Sequence, residues 1–223
     1  MLRFIYPLEV NVRILIAGDS LSLPRPHQIK NFDPKTDKDL AVHFHETYGY
    51  LLQKGLERHF PDKEVFIINR SRRAFTIKDI QKEFFDHLHY FEPDMIVLHV
   101  GIVDCWFREG GQQFVNINEF SHAYTQILNT LKLKPQTKMI VIGIAPTSVK
   151  MDTRFPGLND EINKYNKVYQ NFIDEIQTFY IDMARYIDPH EPSHYLLPDH
   201  HHLNKEGNQL LYKKLFEICK SIF

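Results

Sequence analysis

Short apolar runs alternate with longer amphipathic segments along this chain, and that alternation limits the possible folds more than any other feature. Five runs are rich in β-branched residues and are short enough to be buried strands. They cover residues 12–17, 65–69, 95–100, 138–144 and 179–183. Strands separated by helices pair in parallel through right-handed crossovers. The pattern predicts an α/β fold in which a parallel sheet of about five strands has helices on both faces.

The segments between these runs have apolar residues at the spacing of amphipathic helices. Helices are expected over residues 39–59, 77–90, 118–131, 159–176 and 205–222, with Asn159 placed to cap the fourth. Residues 22–38 and 146–158 are expected to be loops, and residues 185–203 an irregular stretch. No repeat or linker divides the sequence, so one domain over residues 1–223 is expected.

Composition excludes several functional classes. A net charge of −1 gives no electrostatic reason to expect a nucleic-acid partner. The two cysteines form no paired motif, which favours a reducing compartment over a disulfide framework. Residues 1–7 show no signal peptide, and no apolar run is long enough to span a bilayer. We expect a soluble, cytoplasmic protein without a membrane span, and its oligomeric state is left open.

The first run is followed at once by a turn that could present a nucleophile. It reads Gly18-Asp19-Ser20-Leu21, and ligands of parallel sheets bind beyond the carboxyl ends of the strands. A glycine permits the tight turn that would lift the hydroxyl of Ser20 above the sheet edge. Such a hydroxyl needs a base to become a nucleophile. The alternative is that Ser20 merely caps a turn.

A cluster of histidines before the last helix could supply that base. The stretch is Asp199-His200-His201-His202. A carboxylate three residues before a histidine can orient the ring through Nδ1 and leave Nε2 free for a serine. A polar loop and a metal site remain as alternatives, although neighbouring histidines seldom all point at one ion.

A third stretch follows the third run and reads Gly101-Ile102-Val103-Asp104-Cys105. The glycine indicates a tight turn or a close backbone approach, and Asp104 is placed to cap the next segment. Cys105 is a second candidate nucleophile, but a cysteine in this setting is more often a small buried residue.

These blocks together resemble the SGNH (GDSL) hydrolase superfamily, and the resemblance runs from Ile14 to about Leu211. It implies a three-layer α/β/α sandwich of the flavodoxin-like SGNH type. It also implies that Ser20 is the nucleophile, His202 the general base and Asp199 its orienting carboxylate. The backbone N–H groups of Ser20 and Ala74 would form the oxyanion hole, with no metal and no organic cofactor.

Two positions depart from the pattern of this superfamily. Ala74 stands where the family has a glycine, which leaves the backbone donor intact. Val103 stands where the family has an asparagine that donates to the oxyanion, and loss of one such donor costs about 2.7–4 kcal/mol in the transition state. The variant stretch beginning at Gly101, with Arg108 nearby, resembles a bacterial subgroup associated with surface-polysaccharide gene clusters.

Several arginines follow the second and third runs and are expected near the mouth of the site, namely Arg70, Arg72, Arg73 and Arg108. Arginine binds carboxylates and phosphates in a bidentate manner, so Arg72, Arg73 and Arg108 are candidates for binding an anionic substrate. The alternative is a solvated basic turn. Trp106 and Phe107 are placed to line the pocket or to pack beneath a loop, and the loop around Phe155 is placed to form a wall of the pocket.

The function expected from these features is a serine esterase that removes a small acyl group, acetyl being favoured, from a carbohydrate ester through an acyl-enzyme. Two alternatives stay open. One is an O-acyltransferase that uses the same three residues, and the other is a glycan-binding module with weak catalysis on this fold. The partner expected in each case is a small-molecule or glycan ester.

Overall fold

The computed structural model describes residues 10–26, 33, 35 and 39–223. Within them, five parallel strands form one sheet in the order β2-β1-β3-β4-β5. The strands are β1 (Val10–Gly18), β2 (Lys63–Asn69), β3 (Met95–His99), β4 (Lys138–Ile142) and β5 (Thr178–Ile181). This is the flavodoxin-like strand order, in which β1 and β3 are neighbours at the point where the order reverses. The predicted fold class is confirmed.

Seven helices surround the sheet in the described part of the chain. They are α1 (Tyr48–His59), α2 (Ile77–Phe91), α3 (Ile102–Cys105), α4 (Ile117–Leu131), α5 (Val149–Arg154), α6 (Leu158–Gln170) and α7 (Lys205–Ile222). Short 3₁₀ turns cover Ser20–Ser22, Phe44–Glu46, Met183–Arg185 and Pro192–His194.

The sheet separates two apolar cores. Alternate residues of β1 point to opposite faces, so Leu15 belongs to one core and Ile14 to the other. The first core packs against α2, α4 and α6, and the second against α1 and α7. Every residue of β3 is buried, as expected for the central strand of a sheet covered on both faces.

The helix predicted over residues 39–59 is wrong in its first part. The α-helix begins only at Tyr48, because the Thr47 hydroxyl caps it by accepting from the N–H of Tyr50. The preceding Phe44–Glu46 segment is a 3₁₀ turn closed by a hydrogen bond from the His43 N–H to the Glu46 carboxylate. Of the loop predicted over 22–38, residues 27–32, 34 and 36–38 lie outside the described residues, as do residues 1–7.

Residues 146–158, predicted as a loop, contain α5. Asn159 does not cap the following helix. Gly157 occupies the N-cap, and the side-chain carbonyl of Asn159 accepts from the N–H of Thr147 instead. The helix predicted to reach 176 ends at Gln170, because the Asp174 carboxylate gathers the N–H groups of the following residues into a turn.

No helix among the described residues combines the length and the apolar character needed to cross a membrane.

Candidate active site

The nucleophile candidate lies at the carboxyl edge of the sheet, between its two central strands. The Asp19 N–H donates to the His99 carbonyl at the end of β3, over 3.1 Å. The Asp19 carboxylate in turn accepts from the N–H of Leu21 over 2.8 Å and caps the 3₁₀ turn that begins at Ser20. The turn therefore fixes Ser20 at the position where ligands of this fold bind.

The structure brings Ser20, His202 and Asp199 together into one hydrogen-bonded row. The Oγ atom of Ser20 lies 3.0 Å from Nε2 of His202, across 182 positions of sequence. The Nδ1 atom of the same ring lies 2.9 Å from Oδ2 of Asp199. A proton on Nδ1 directed at the carboxylate leaves Nε2 as the acceptor for the Ser20 hydroxyl.

The loop that carries His202 is fixed by its own backbone. The His202 N–H donates to Oδ1 of Asp199 over 3.1 Å, and its carbonyl accepts from Leu197 over 2.7 Å. Asn204 then caps α7 through the N–H of Gly207. A Cβ at Gly207 would lie 2.3 Å from the Tyr195 carbonyl, so only glycine fits there.

Asp199 is held in its ionised form. Burial alone would raise its pKa, but the hydrogen bond from His202 and the neighbouring imidazoles hold that pKa well below its usual range. The guanidinium of Arg25 lies 3.5 Å from Oδ2, the oxygen that also faces Nδ1 of His202. No sequence signal points to Arg25, which falls in a predicted loop 174 positions away.

The backbone near Ala74 has the geometry of a glycine position. Ala74 has φ +60°, in the left-handed region that glycine adopts without strain. The turn is tied to β1, because the N–H of Arg72 donates to the carbonyl of Gly18 over 3.1 Å. Within the described part of the chain, the N–H groups of Ser20 and Ala74 form no hydrogen bond, and their assignment to an oxyanion hole stays a prediction.

The block after β3 offers no side-chain donor at its second helical position. Val103 is half-buried on α3 and packs against the first core. Gly101 adopts φ +129°, and a Cβ there would lie 2.6 Å from the Ile144 side chain. The predicted close approach at Gly101 is therefore present, with an apolar side chain as the neighbour.

Asp104 performs a different task from the one predicted. Its Oδ1 accepts from the N–H of Ile77 at the start of α2, over 2.9 Å, rather than capping the segment that follows it. Burial raises the pKa of Asp104 to about 7, and burial raises that of Asp19 to about 8. Cys105 is fully buried, and burial raises its pKa well above the usual value, so its thiol is a packing group.

Two of the arginines predicted at the mouth of the site, Arg72 and Arg108, have local partners. The Arg72 guanidinium lies 3.1 Å from Glu83 of α2 and over the ring of Phe75. Arg108 lies over the Phe114 ring and donates to the Phe114 carbonyl over 3.1 Å.

The two other arginines of that set, Arg70 and Arg73, differ in their exposure to solvent. Arg70 is half-buried with its guanidinium over the Phe91 ring, and Arg73 is exposed. Binding of an anionic substrate at Arg72, Arg73 and Arg108 stays a prediction.

An aromatic row extends outward from His202. The ring of His201 lies 4.2 Å from that of His202, and the Trp106 ring contacts His201 at 5.3 Å and Phe155 at 5.1 Å. The Arg154 guanidinium lies over the Phe155 ring, 5.3 Å from its centroid. Since Nδ1 of His201 lies 2.9 Å from the Asp199 carbonyl, its proton is directed there and Nε2 is an acceptor.

One group of possible metal ligands occurs among the described residues, namely Asp199, His201 and His202, whose ligand atoms lie within 4.8 Å of one another. Two of these three already bind each other through the carboxylate and Nδ1. That hydrogen bond accounts for their proximity without an ion.

Comparison with known proteins identifies the family and the fold. The GDSL-like Lipase/Acylhydrolase family matches residues 18–210. A search of curated proteins finds no significant match. Among solved structures, the lipase/acylhydrolase from Enterococcus faecalis has a TM-score of 0.70 at 17% identity, covering 94% of this chain and 96% of that one.

Two further solved structures have the same fold. A single-substitution variant of Axe2, an acetyl xylan esterase from Geobacillus stearothermophilus, has a TM-score of 0.69 at 15% identity, over 94% of this chain and 96% of that one. LAE5, an alpha/beta hydrolase enzyme from the metagenome of Lake Arreo, has a TM-score of 0.68 at 16% identity, over 95% and 96%. The family match spans most of the sequence, and the chain therefore belongs to the GDSL-like lipase/acylhydrolase family and is a serine hydrolase that acts on esters.

Proposed function

We propose that the protein is a serine esterase that removes a small acyl group, acetyl being favoured, from a carbohydrate ester. The observation that carries the proposal is the continuous row from Ser20 Oγ to His202 Nε2 (3.0 Å) and from His202 Nδ1 to Asp199 (2.9 Å). Both distances allow the proton transfers that a nucleophilic serine requires.

The mechanism is two-step acyl transfer. His202 takes the Ser20 proton as the hydroxyl attacks the ester carbonyl, and Asp199 stabilises the resulting imidazolium. The N–H groups of Ser20 and Ala74 bind the oxyanion. The imidazolium then protonates the leaving alcohol, which leaves an acyl-serine. A water molecule, deprotonated by His202, attacks that ester, releases the acid and returns the proton to Ser20.

A carbohydrate is the proposed substrate because of the aromatic row. Trp106 and Phe155 are half-buried and lie beyond His201, on the outer side of His202. Aromatic side chains of this kind combine an apolar face with polar neighbours, here the free Nε2 of His201 and the Arg154 guanidinium. Axe2 is an acetyl xylan esterase by name, which supports the same choice.

We also propose that the chain forms one domain and that it acts in the cytoplasm. One domain fits a family match that runs from residue 18 to residue 210. A reducing, cytoplasmic compartment fits two buried cysteines that are not paired with each other.

The O-acyltransferase remains a second candidate, because an acceptor hydroxyl seated on the aromatic row would replace water in the second step. The glycan-binding module with weak catalysis is the third candidate. It rests on Val103, which provides no hydrogen-bond donor.

Hydrolysis of an aryl acetate, compared between the wild-type protein and Ser20→Ala, tests the proposal. Activity that Ser20→Ala abolishes is the expected result. Equal turnover by both proteins would overturn the role of Ser20. A wild-type protein that forms a covalent acetyl-Ser20 adduct, releases little acetate, and passes the acetyl group to an added acceptor sugar as a new ester would identify the acyltransferase.

A further inference from the structure

Arg25 joins the segment that follows Ser20 to the loop that carries the base. Its guanidinium lies 3.5 Å from Oδ2 of Asp199, and both side chains are 31% exposed. Oδ2 is the oxygen that faces Nδ1 of His202. The positive charge of Arg25 is therefore separated from the imidazole by a single carboxylate oxygen.

The backbone of Arg25 is fixed as firmly as its side chain. Its N–H donates to the Val42 carbonyl and its carbonyl accepts from the Val42 N–H, both over 2.8 Å. Val42 is 2% exposed, so the bridge is anchored in the protein interior. A long side chain on a fixed backbone loses less conformational freedom when it forms an ion pair.

We propose that Arg25 is a positioning residue of the active site, which holds the Asp199 carboxylate against His202 and, through its positive charge, opposes protonation of the imidazole. The inference rests on the proposed esterase mechanism, because it concerns the residue that acts as base there. It assigns to Arg25 a task that the three residues of the row do not perform among themselves.

The direction of the effect follows from the charges that face His202. Asp199 favours the imidazolium, whereas Arg25 disfavours it by compensating part of the carboxylate charge. Ser20 is uncharged, and His201 and His99 are the other titratable groups nearby. Burial lowers the pKa of both, that of His99 to about 3, with the charge of His202 contributing in each case. Because burial disfavours the charged form of both rings, Arg25 is the cation that faces the pair of Asp199 and His202.

The test replaces Arg25 with glutamine and with lysine, beside the wild-type protein. In Arg25→Gln the acid limb of the kcat/KM profile is expected to move to higher pH by about half a unit, because the imidazolium is no longer opposed by a cation. Its plateau is expected to fall about threefold to tenfold, since loss of positioning costs rate. Arg25→Lys retains the charge, so its acid limb is expected to stay near that of the wild type.

The matched control is Arg185→Gln. Arg185 pairs with Asp182 over 3.2 Å in the 3₁₀ turn after β5, which makes it an arginine–aspartate pair outside this site. It is expected to leave the pH profile unchanged. An equal loss of activity at every pH in Arg25→Gln, without movement of the acid limb, would show a merely structural role and overturn the proposal.

An NMR titration of the His202 ring separates this inference from the proposed function, since it needs no turnover. A midpoint that rises in Arg25→Gln and returns in Arg25→Lys supports Arg25 even if no ester is cleaved. An unchanged midpoint overturns it even if the protein is an active esterase. Should Arg25→Gln fail to fold by circular dichroism, Arg25→Met, which keeps the aliphatic stem without the charge, takes its place: a raised midpoint supports the proposal and an unchanged midpoint contradicts it.

Discussion

The two halves of this site, on either side of Ser20, are completed to different degrees. On the base side, each polar group has a partner: Ser20 with His202, His202 with Asp199, and Asp199 with Arg25. On the proposed oxyanion side, the candidate donors are the backbone N–H groups of Ser20 and Ala74, and the Val103 side chain adds no third donor.

The difference indicates which half limits the rate. A base side with all its partners provides a strong nucleophile, whereas stabilisation of the oxyanion is usually the largest single contribution to this chemistry. A protein with a complete base side and a reduced oxyanion side is expected to form its acyl-enzyme slowly. Variants that change one half at a time would separate the two contributions.

The largest expected effect comes from breaking the base side. His202→Ala is expected to lower kcat for an aryl acetate by about 10⁴-fold or more, because Ser20 then has no group to accept its proton. Stopped-flow or endpoint release of the aryl alcohol measures it.

His201→Ala is the matched control, since it removes the neighbouring imidazole. The Nδ1 of His201 is hydrogen-bonded to the Asp199 carbonyl over 2.9 Å and lies 3.7 Å from Oδ1, whereas Oδ2 is the oxygen that orients the base. A loss of less than about tenfold is therefore expected, because no proton transfer passes through this ring. Comparable losses in both variants would mean that the two imidazoles have been assigned the wrong roles.

Adding a hydrogen-bond donor on the oxyanion side is expected to have the next largest effect on kcat. Val103→Asn introduces the side-chain donor found in the family at this position, and is expected to raise kcat by about 100-fold. Val103 packs against the first core, so the polar side chain is also expected to lower the free energy of unfolding by about 1 kcal/mol. Urea unfolding measures this loss.

Val103→Ala provides the control for that gain. It removes the same methyl groups without adding a donor, so kcat should not rise. A Val103→Asn protein no faster than Val103→Ala would show that the oxyanion side is already sufficient, and the contrast between the two halves would disappear.

The sheet and the row from Ser20 to Asp199 can be predicted from the sequence, because both depend on local signals. Buried strands such as β3 appear as continuous apolar runs, and the two ends of the row lie in short blocks at predictable strand and helix ends. The start of α1 cannot be predicted in this way, because apolar spacing continues upstream of the Thr47 cap at which the helix begins.

Local sequence patterns do not predict which partners long side chains contact. The sequence places Arg72 at the site, but Arg72 pairs with Glu83, whereas Arg25 carries no local signal and pairs with Asp199. Both pairings depend on where helices and loops pack in three dimensions, which no period in the local sequence encodes. The chemistry of these arginines follows from the sequence, and their partners do not.

The smallest effect is expected from Ala74→Gly, which tests whether the backbone at Ala74 is strained. Ala74 has φ +60°, and a left-handed conformation costs a residue with a Cβ about 1–2 kcal/mol. Ala74→Gly relieves that cost but adds freedom to the unfolded chain, which offsets about 0.5–1 kcal/mol. The net expectation is a gain of about 0.5 kcal/mol in the free energy of unfolding, measured in urea, with kcat within about twofold of the wild type because the N–H is retained.

Ala184→Gly is the control for this change. Ala184 is exposed and has a negative φ, so its replacement by glycine is expected to destabilise the protein. If both variants lose stability, Ala74 is unstrained, and its backbone is held open for the oxyanion at no cost to the fold.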